Sequence, residues 1–236
     1  MSLIHASSVA IGAGIASVAI IAVFLAFGIF NNNPELAVTP TPKIQDVGPT
    51  KITAATFMEN GSPILGDPNA PITVVEFGDY QCFFCNKFFH DTEDSLLKNY
   101  VETGKVKVIF KDFTIIGADS VTASHAAHCA DDQGKFWEYH DTLYNHWTGE
   151  NNGWASSDNL LQFAGELGLN TDEFSKCITD SKYAQSIVNS NQDAKDLGLT
   201  GTPGFFIIGP DNKVTKIGGA QPYDVFEKIF NSKLEK

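Results

Sequence analysis

The chain has 236 residues, 43% of them hydrophobic, and its 16 Lys+Arg against 28 Asp+Glu give a net charge of −12. All 16 basic residues are lysines, which argues against a nucleic-acid groove or a phosphate clamp, because both need clustered cations and usually arginine. Four cysteines are too few for a disulfide scaffold of this length, whereas 236 residues suffice for one or two domains with a hydrophobic core.

The first element in the chain is an apolar segment over residues 9–30, which contains no charged side chain. As a helix it would span about 33 Å, enough to cross the hydrocarbon core of a bilayer. A cleaved signal peptide is the alternative, since residues 26–28 have the small-x-small pattern of a cleavage site. Signal peptides, however, usually have an apolar run of about 7–15 residues behind a basic start, and no lysine precedes this segment. We therefore predict an uncleaved, single-pass transmembrane anchor.

Residues 31–52 are rich in proline and threonine and have little apolar periodicity, which predicts a flexible tether. The folded domain is predicted over residues 53–236. It begins with an apolar, β-branched run over residues 72–77, which is typical of a strand buried on both faces of a parallel sheet. A helical pattern over residues 82–103 and a strand over residues 106–110 follow, and the three elements form a βαβ unit.

The next part of the chain, residues 114–200, has helical patterns separated by glycine and by polar pairs that cap helix starts. Two short apolar runs then flank the turn sequence of residues 209–212 and indicate a hairpin, and a final helix follows. This order predicts one α/β domain interrupted by an all-helical insertion. The predicted helices of the insertion cover residues 118–132, 135–147, 157–167, 171–180 and 182–197, the hairpin strands 205–208 and 214–217, and the final helix 222–234.

The clearest chemistry belongs to Cys82 and Cys85, two thiols separated by two residues where a buried strand turns into a helix. Free N–H groups and the positive end of the helix dipole stabilise a thiolate at a helix start. Only a thiolate attacks a disulfide, so Cys82 is predicted to be the nucleophile and the more buried Cys85 the resolving thiol. Half of a zinc site is the alternative, but the sequence has no second pair of this kind to complete it.

Pro203 lies in the sequence Gly-Thr-Pro-Gly, directly before the strand predicted at residues 205–208. Proline cannot donate a hydrogen bond to a strand ladder, so it belongs in a turn or at the first position of the strand. Local sequence favours an ordinary turn proline, although a cis peptide bond would present the Thr202 backbone to a neighbouring loop.

A strand followed by the C-x-x-C motif and a helix, then a helical insertion, then Gly-Thr-Pro before a ββα end, resembles the DsbA family of thiol–disulfide oxidoreductases. That family has a thioredoxin fold. The runs over residues 75–82 and 134–141 are similar to the same family, and the resemblance covers nearly all of the chain after residue 60. It implies that Pro203 is the family's cis-proline facing the cysteines, and that the Thr202 backbone pairs with a substrate chain. It also implies an enzyme without a cofactor or a metal.

Glu76 is an acid in the middle of the apolar run before the cysteines. Burial of a carboxylate is costly and raises its pKa. The resemblance implies that this acid lies behind the active site and exchanges a proton with Cys85. The alternative is a carboxylate at a strand end, satisfied by lysine or water.

Phe83 and Phe84 separate the two cysteines, where relatives often carry proline followed by histidine or tyrosine. Histidine stabilises the thiolate and phenylalanine does not. We therefore expect a pair less oxidising than the strong end of the family near about −120 mV, and closer to isomerases near about −180 mV. With Tyr80 nearby, the two phenylalanines are also predicted to form an apolar lip for unfolded chains.

Cys129 and Cys177 fall on two different predicted helices of the insertion. Unpaired, both would be small buried hydrophobic side chains. Paired, they would join the two helices and stabilise the fold by about 4 kcal/mol. The resemblance implies the pair, since relatives often carry a second disulfide, and an extracytoplasmic location favours oxidation. His125 and His128 share a helix face without a completing ligand, and we predict surface histidines rather than a metal site.

These observations together predict an extracytoplasmic thiol–disulfide oxidoreductase that introduces or exchanges disulfides in exported proteins. Its expected partners are unfolded or exported proteins with free thiols and a membrane protein that reoxidises or reduces the cysteine pair. An anchored reductase or isomerase with the same site is the first alternative. The second is a metal-binding or chaperone module in which Cys82 and Cys85 hold copper or zinc.

Overall fold

The computed structural model describes residues 45–47 and 57–235. The anchor predicted over residues 9–30 and most of the predicted tether lie outside these ranges. Among the described residues, no helix combines the length and the apolar character needed to cross a membrane.

The described residues form a sheet of five strands: β1 (Gln45–Val47), β2 (Ile72–Gly78), β3 (Val106–Asp112), β4 (Gly204–Ile208) and β5 (Val214–Gly218). Their order in the sheet is β1-β5-β4-β2-β3. β2 and β3 are parallel, as a βαβ unit requires, and the other neighbouring pairs are antiparallel. Four of these strands agree with the predicted ones to within two residues. β1 is not predicted, since it lies in the segment expected to be a tether.

The helices come in three groups. Between β2 and β3 the chain forms one helical segment, in which two π-helical turns interrupt the α-helix. Five helices lie between β3 and β4, and one follows β5, which confirms the predicted α/β domain with a helical insertion. The segment after β2 is α1 (Phe83–Phe88), a π-helical turn (Phe89–Glu93), α2 (Asp94–Leu96) and a second π-helical turn (Leu97–Val101). The others are α3 (Ala118–Asp131), α4 (Phe136–Asn145), α5 (Ser157–Glu166), α6 (Thr171–Thr179), α7 (Ala184–Asp196) and α8 (Tyr223–Leu234).

Strand β2 is buried along its whole length, and its two faces contact different helices. On one face Val74 packs with Phe88 of α1 and with the apolar side of α8. On the other face Phe77 packs with Ala194 of α7. Because side chains alternate along a strand, Glu76 shares the face of Val74 and lies beneath the helix that carries the cysteines.

The insertion has a core of its own and a covalent link. A disulfide joins Cys129 of α3 to Cys177 of α6, with an S–S distance of 2.02 Å. Burial of both residues beside aromatic side chains of α4 and α6 places this link inside the apolar core of the insertion. The disulfide therefore ties together two helices that are 48 residues apart in sequence.

The prediction that His125 and His128 lie on a helix surface is wrong, because both side chains are buried. His128 Nε2 is 2.7 Å from Asp112 Oδ2, and His125 Nε2 accepts a hydrogen bond from the Tyr183 N–H at 3.1 Å. The physical reason is that four other helices of the insertion, α4, α5, α6 and α7, pack against α3 and cover most of its circumference, so it has no wide solvent face. His125 also lies close to the sulfur atoms of Cys129 and Cys177. Because these two sulfurs form the disulfide, they are not available as thiolates for a metal ion.

Loss of the Cys129–Cys177 disulfide should destabilise the domain without removing the reactive pair. We expect Cys129→Ala with Cys177→Ala to lower the free energy of unfolding by up to about 4 kcal/mol, because the unfolded chain gains the entropy of an open loop. Urea unfolding measures the difference. The background should carry Cys82→Ala and Cys85→Ala, so that reductant acts on this disulfide alone. Equal unfolding midpoints with and without reductant in that background would contradict the prediction.

Candidate active site

The turn between β2 and α1 is held by the buried side chain of Asp79. Its Oδ1 accepts the Gln81 N–H at 2.9 Å, and its Oδ2 accepts the N–H groups of Ile115 and Ile116 at 2.8 and 3.0 Å. The Asp79 carbonyl accepts the Cys82 N–H at 2.9 Å. Burial raises the pKa of Asp79, although these hydrogen bonds oppose the shift. Asp79 thus joins the start of the cysteine helix to the loop after β3.

Gln81 attaches the helical insertion to the same turn. Its backbone carbonyl accepts the Trp147 Nε1–H at 2.7 Å, and its side-chain oxygen accepts the Asn151 N–H at 2.7 Å. Its Nε2 donates to Ser120 Oγ at 3.2 Å. Sequence reasoning did not assign a role to Asp79 or Gln81, although both lie in the run that carries the resemblance.

Cys82 and Cys85 are free thiols at the start of α1, with Cys82 in the N-cap position. Only 4% of Cys82 and 1% of Cys85 is exposed. A hydrogen bond from the Cys85 thiol outweighs burial, and further hydrogen bonds from the helix start help to lower the pKa of Cys82 to about 6. Burial, together with the neighbouring Cys82, raises the pKa of Cys85 well above its ordinary value. The pair is therefore chemically asymmetric, with a reactive outer sulfur and a protonated inner one.

The peptide bond between Thr202 and Pro203 is cis. The Cys82 thiol donates a hydrogen bond to the Thr202 carbonyl oxygen at 3.5 Å, across 120 residues of sequence. This loop leads into β4, which pairs with β2, and the Gly219 N–H donates to the Pro203 carbonyl at 2.8 Å. The structure thus brings the predicted substrate-binding residues next to the predicted nucleophile. The preference of the local sequence for an ordinary turn proline is wrong.

Phe83 and Phe84 form an exposed apolar surface beside the cysteines. They are 49% and 54% exposed, and their ring centroids lie 5.3 Å apart. The Trp147 ring extends this surface, with its centroid 5.9 Å from that of Phe83. Tyr80 is not part of it, contrary to the prediction, because its ring is fully buried and its hydroxyl lies 3.1 Å from His140 Nδ1.

Glu150, from the loop after α4, reaches the start of the cysteine helix. Its Oε1 accepts the Phe83 N–H at 3.0 Å. This N–H is one of the free donors at the helix start, which otherwise favour a nearby negative charge. Because the Glu150 carboxylate binds this N–H and adds a negative charge at the helix start, the Cys82 thiolate is stabilised less than it would be without Glu150. No local sequence signal marks Glu150 as part of the site.

Glu76 and Glu93 are two buried carboxylates behind the cysteines. Burial, repulsion by Glu93 and repulsion by Cys82 raise the pKa of Glu76 well above its ordinary value. Within residues 57–235 neither carboxylate forms an ion pair with a lysine. Glu76 is paired in register with Phe110 and Phe205 in the middle of the strand, so the alternative of a strand-end carboxylate held by lysine is wrong.

The arrangement fits thiol chemistry better than metal binding. Among residues 57–235, one group of three or more ligand side chains lies close enough together to share a metal ion. It consists of His125, Cys129 and Cys177 and does not include Cys82 or Cys85. A zinc ion usually takes four ligands, and the two thiols at the helix start supply two. A low-pKa thiol beside a high-pKa thiol is the arrangement required for exchange with an external disulfide or dithiol.

Comparison with known proteins gives consistent matches over this domain. A family model described as thioredoxin matches residues 58–230. The disulfide bond formation protein D of Bacillus subtilis is 28% identical over 178 residues, which are 74% of this chain and 78% of that protein. The crystal structure of alpha-DsbA1 of Wolbachia pipientis is similar with a TM-score of 0.65 and 30% identity, over 72% of this chain and 89% of that one. The thiol-disulfide exchange protein alpha-DsbA2 of the same organism gives a TM-score of 0.61 and 29% identity, over 72% and 86%.

Neutralising Glu150 should make Cys82 more acidic. We expect Glu150→Gln to lower the pKa of Cys82 by a few tenths of a pH unit, because a helix-terminal charge contributes about 0.3–1 kcal/mol and 1.36 kcal/mol corresponds to one unit. Titration of the thiolate by its ultraviolet absorbance measures the pKa, and the difference should shrink at high salt. Glu138→Gln, which removes an exposed carboxylate that contacts Lys135, is the control. An unchanged or higher pKa in Glu150→Gln contradicts the prediction.

Proposed function

We propose that Cys82 and Cys85 are the redox pair of this protein and that it introduces or exchanges disulfides in exported proteins. The premise is that the chain belongs to the thioredoxin family and is a DsbA-like thiol–disulfide oxidoreductase. The observation that carries the proposal is the asymmetry of the two thiols. The pKa of Cys82 is lowered to about 6 and that of Cys85 is raised, beside the backbone of the Thr202–Pro203 loop. No cofactor is required, since both electrons of the reaction move between sulfur atoms.

In the oxidising direction a substrate thiolate attacks the Cys82 sulfur of the Cys82–Cys85 disulfide. The bond between the two cysteines breaks, its electron pair goes to Cys85, and a mixed disulfide forms between substrate and Cys82. Glu76 then gives its proton to the Cys85 thiolate, whose raised pKa favours protonation. A second substrate thiolate attacks the substrate sulfur of the mixed disulfide and releases Cys82 as a thiolate. The substrate has lost two electrons, and a membrane redox partner removes them from the dithiol.

Substrate chains are proposed to bind between the Thr202 backbone and the apolar surface of Phe83 and Phe84. Backbone pairing is independent of sequence, and exposed phenylalanines favour unfolded chains with apolar side chains. The net charge of −12 and the absence of arginine argue against substrate binding by a cationic patch. They favour recognition through this apolar surface instead. These properties suit an enzyme that acts on many exported proteins.

The direction of exchange depends on how strongly the reduced form is stabilised. A pKa of about 6 for Cys82 lies between the values of about 7 for thioredoxin and about 3.5 for DsbA. This supports a potential above that of thioredoxin, near about −270 mV, and below that of DsbA, near about −120 mV. An oxidase or an exchange enzyme fits this interval. An anchored reductase with the same site would need a value close to that of thioredoxin.

The proposed location is outside the cytoplasm, with residues 9–30 as a membrane anchor and residues 31–52 as most of the connection to the domain. The Cys129–Cys177 disulfide supports this proposal, since structural disulfides persist mainly in oxidising compartments. The length of the apolar segment favours an anchor over a signal peptide. An anchored domain would meet exported chains and a membrane redox partner at the same surface.

The proposed activity predicts that the oxidised protein transfers its disulfide to a reduced peptide with two thiols. We expect Cys82→Ala to abolish transfer. Mixed instead with the same peptide in its disulfide form, Cys85→Ala should accumulate the mixed disulfide, because the Cys82 thiolate attacks the peptide disulfide and no Cys85 thiol is present to release the bound peptide. Equilibration with glutathione should give a potential near about −180 mV. A potential near about −270 mV, or full activity in Cys82→Ala, contradicts the proposal. Tight binding of copper or zinc without exchange activity would favour the metal-binding alternative.

The proposed anchor predicts that the full chain stays with membranes after alkaline extraction, and that external protease degrades the domain. Ile20→Lys with Val23→Lys should release the chain, because each charge at the bilayer centre costs about 2.5–3.5 kcal/mol on insertion scales. Lys105→Ala, a change within the folded domain, is the control and should leave the chain in the membrane fraction. Recovery of a soluble product that lacks residues 1–28 would contradict the anchor and favour the cleaved signal peptide.

A further inference from the structure

We propose that Glu93 and Asp141 continue the proton path of Cys85 from Glu76 to the protein surface. The proposal rests on the proposed function, in which Cys85 exchanges a proton with Glu76. It adds the route by which Glu76, which is buried beneath the cysteine helix, recovers its proton from water. Glu93 and Asp141 do not touch the reacting sulfurs, so they are positioning residues for proton transfer.

The first step of the route is a small cavity shared by two acids. Glu76 of β2 and Glu93 of the first π-helical turn line one cavity of about 20 Å³, whose other walls are apolar side chains that include Val74, Phe88 and Phe205. A volume above about 10–15 Å³ holds one water molecule if polar groups are present to bind it. Two carboxyl groups that face this space can therefore pass a proton directly or through a single water.

The second step leads from Glu93 to solvent. The π-helical turn packs against α4, with the Phe89 ring centroid 5.2 Å from that of Tyr144 and 6.1 Å from that of His140. Asp141 follows His140 in α4, and its charge repels that of Glu93. Its side chain is on the exposed part of this helix. Asp141 thus stands between a buried acid and bulk water.

The acids of this route titrate closer to neutrality than ordinary carboxylates. Burial and repulsion by Asp141 raise the pKa of Glu93, and partial desolvation and repulsion by Glu138 raise that of Asp141 to about 6. Two carboxylates in one apolar site cannot both ionise without a large cost, so Glu76 and Glu93 do not both lose their protons at neutral pH. Groups that hold a proton weakly at the working pH are suited to transfer it.

The other titratable groups around the acids do not offer a competing exit. Cys82 and Cys85 face Glu76 from α1, and the buried hydroxyls of Tyr80 and Tyr144 face both glutamates. Burial raises the pKa of both tyrosines well above the ordinary value, so they stay protonated. Within the described part of the chain the Tyr144 hydroxyl is buried without a hydrogen-bond partner, which leaves it available to orient a proton donor beside Cys85.

The proton balance of the path is simple. When the disulfide is reduced by a substrate thiolate, Cys85 leaves as a thiolate and takes the proton of Glu76. Glu76 takes the proton of Glu93, Glu93 takes that of Asp141, and Asp141 takes one from water. The net result is the uptake of one proton from solvent by Cys85, and oxidation of the dithiol reverses every step.

Proton uptake during reduction tests the path. The oxidised full chain is mixed with reduced glutathione in weak buffer, and tryptophan fluorescence follows the reduction. A pH indicator follows the protons: two glutathione thiols release two, Cys82 stays a thiolate and Cys85 takes one up, so a slow relay appears as a release of two protons followed by a slower uptake of one. We expect Glu93→Gln to slow proton uptake at neutral pH on the order of 10- to 100-fold, the range of general acid–base effects, and Glu93→Asp to restore part of the rate. The wild-type rate should fall as pH rises through the pKa values of the acids, and Glu93→Gln should lose this dependence. Asp141→Asn should act in the same direction with a smaller effect.

The control is Asp94→Asn, which changes an exposed carboxylate next to Glu93 that contacts Lys98. Glutamine resembles the protonated carboxyl in shape, so thermal stability and the equilibrium potential should change little in Glu93→Gln. Wild-type proton uptake in Glu93→Gln overturns the relay. If Glu76→Gln is slow while Glu93→Gln is not, the role of Glu76 stands and the relay fails. Wild-type uptake in Glu76→Gln removes the proposed role of Glu76 itself.

Discussion

The geometry of the site depends on the buried carboxylate of Asp79. It accepts three backbone N–H groups, from the turn that starts the cysteine helix and from the loop that leads into the insertion. Hydrogen bonds to a charged group are stronger than neutral ones, and the loss of this acceptor would leave buried donors unpaired. Asp79 therefore fixes where α1 begins relative to the sheet, and with it the position of Cys82 at the helix N-terminus.

The remaining constraint is the register of the sheet. β2 is buried on both faces, and a slip by one residue would exchange the residues facing α1 with those facing α7. Register pairs Phe77 with Gly204, one residue after Pro203, so the cis-proline loop is fixed opposite the start of α1. Cys82 and Thr202 meet across 120 residues because strand pairing and the Asp79 turn act at the same end of β2.

Sequence reasoning succeeds here where the signal is local and fails where it is tertiary. The periodicity of apolar residues predicted the helices of the insertion and the strands of the sheet. The spacing of Cys82 and Cys85 at a strand–helix junction predicted a redox pair, and the structure places these thiols at the start of α1 beside the Thr202–Pro203 loop. β1 was missed because three residues are too few to show the alternating apolar pattern of a strand, and because its partner β5 is distant in sequence. The burial of His128 was missed because a helix covered on most sides lacks the one-sided pattern that reveals a core face. Glu150 reaches the site from a loop, which no motif marks.

The surroundings of the acids behind the cysteines are also set by tertiary packing, which the local sequence does not show. This packing is what the fold contributes to the chemistry of the thiols. Phenylalanine side chains between the cysteines carry no charge that could stabilise the Cys82 thiolate. The low pKa of Cys82 therefore comes from the Cys85 thiol, the Thr202 side chain and backbone N–H groups of the helix start. The same helix buries Cys85, which raises the pKa of this thiol, and in the proposed function Glu76 is its internal proton donor. Burial of Glu76 and Glu93 among apolar side chains lowers the stability of the fold, because each carboxyl group must either remain protonated or carry a charge that water does not hydrate. Two such groups beneath one thiol reduce the stability of the protein. In the proposed proton path this loss is offset by function, because the two acids carry protons across the apolar core between Cys85 and Asp141 at the surface.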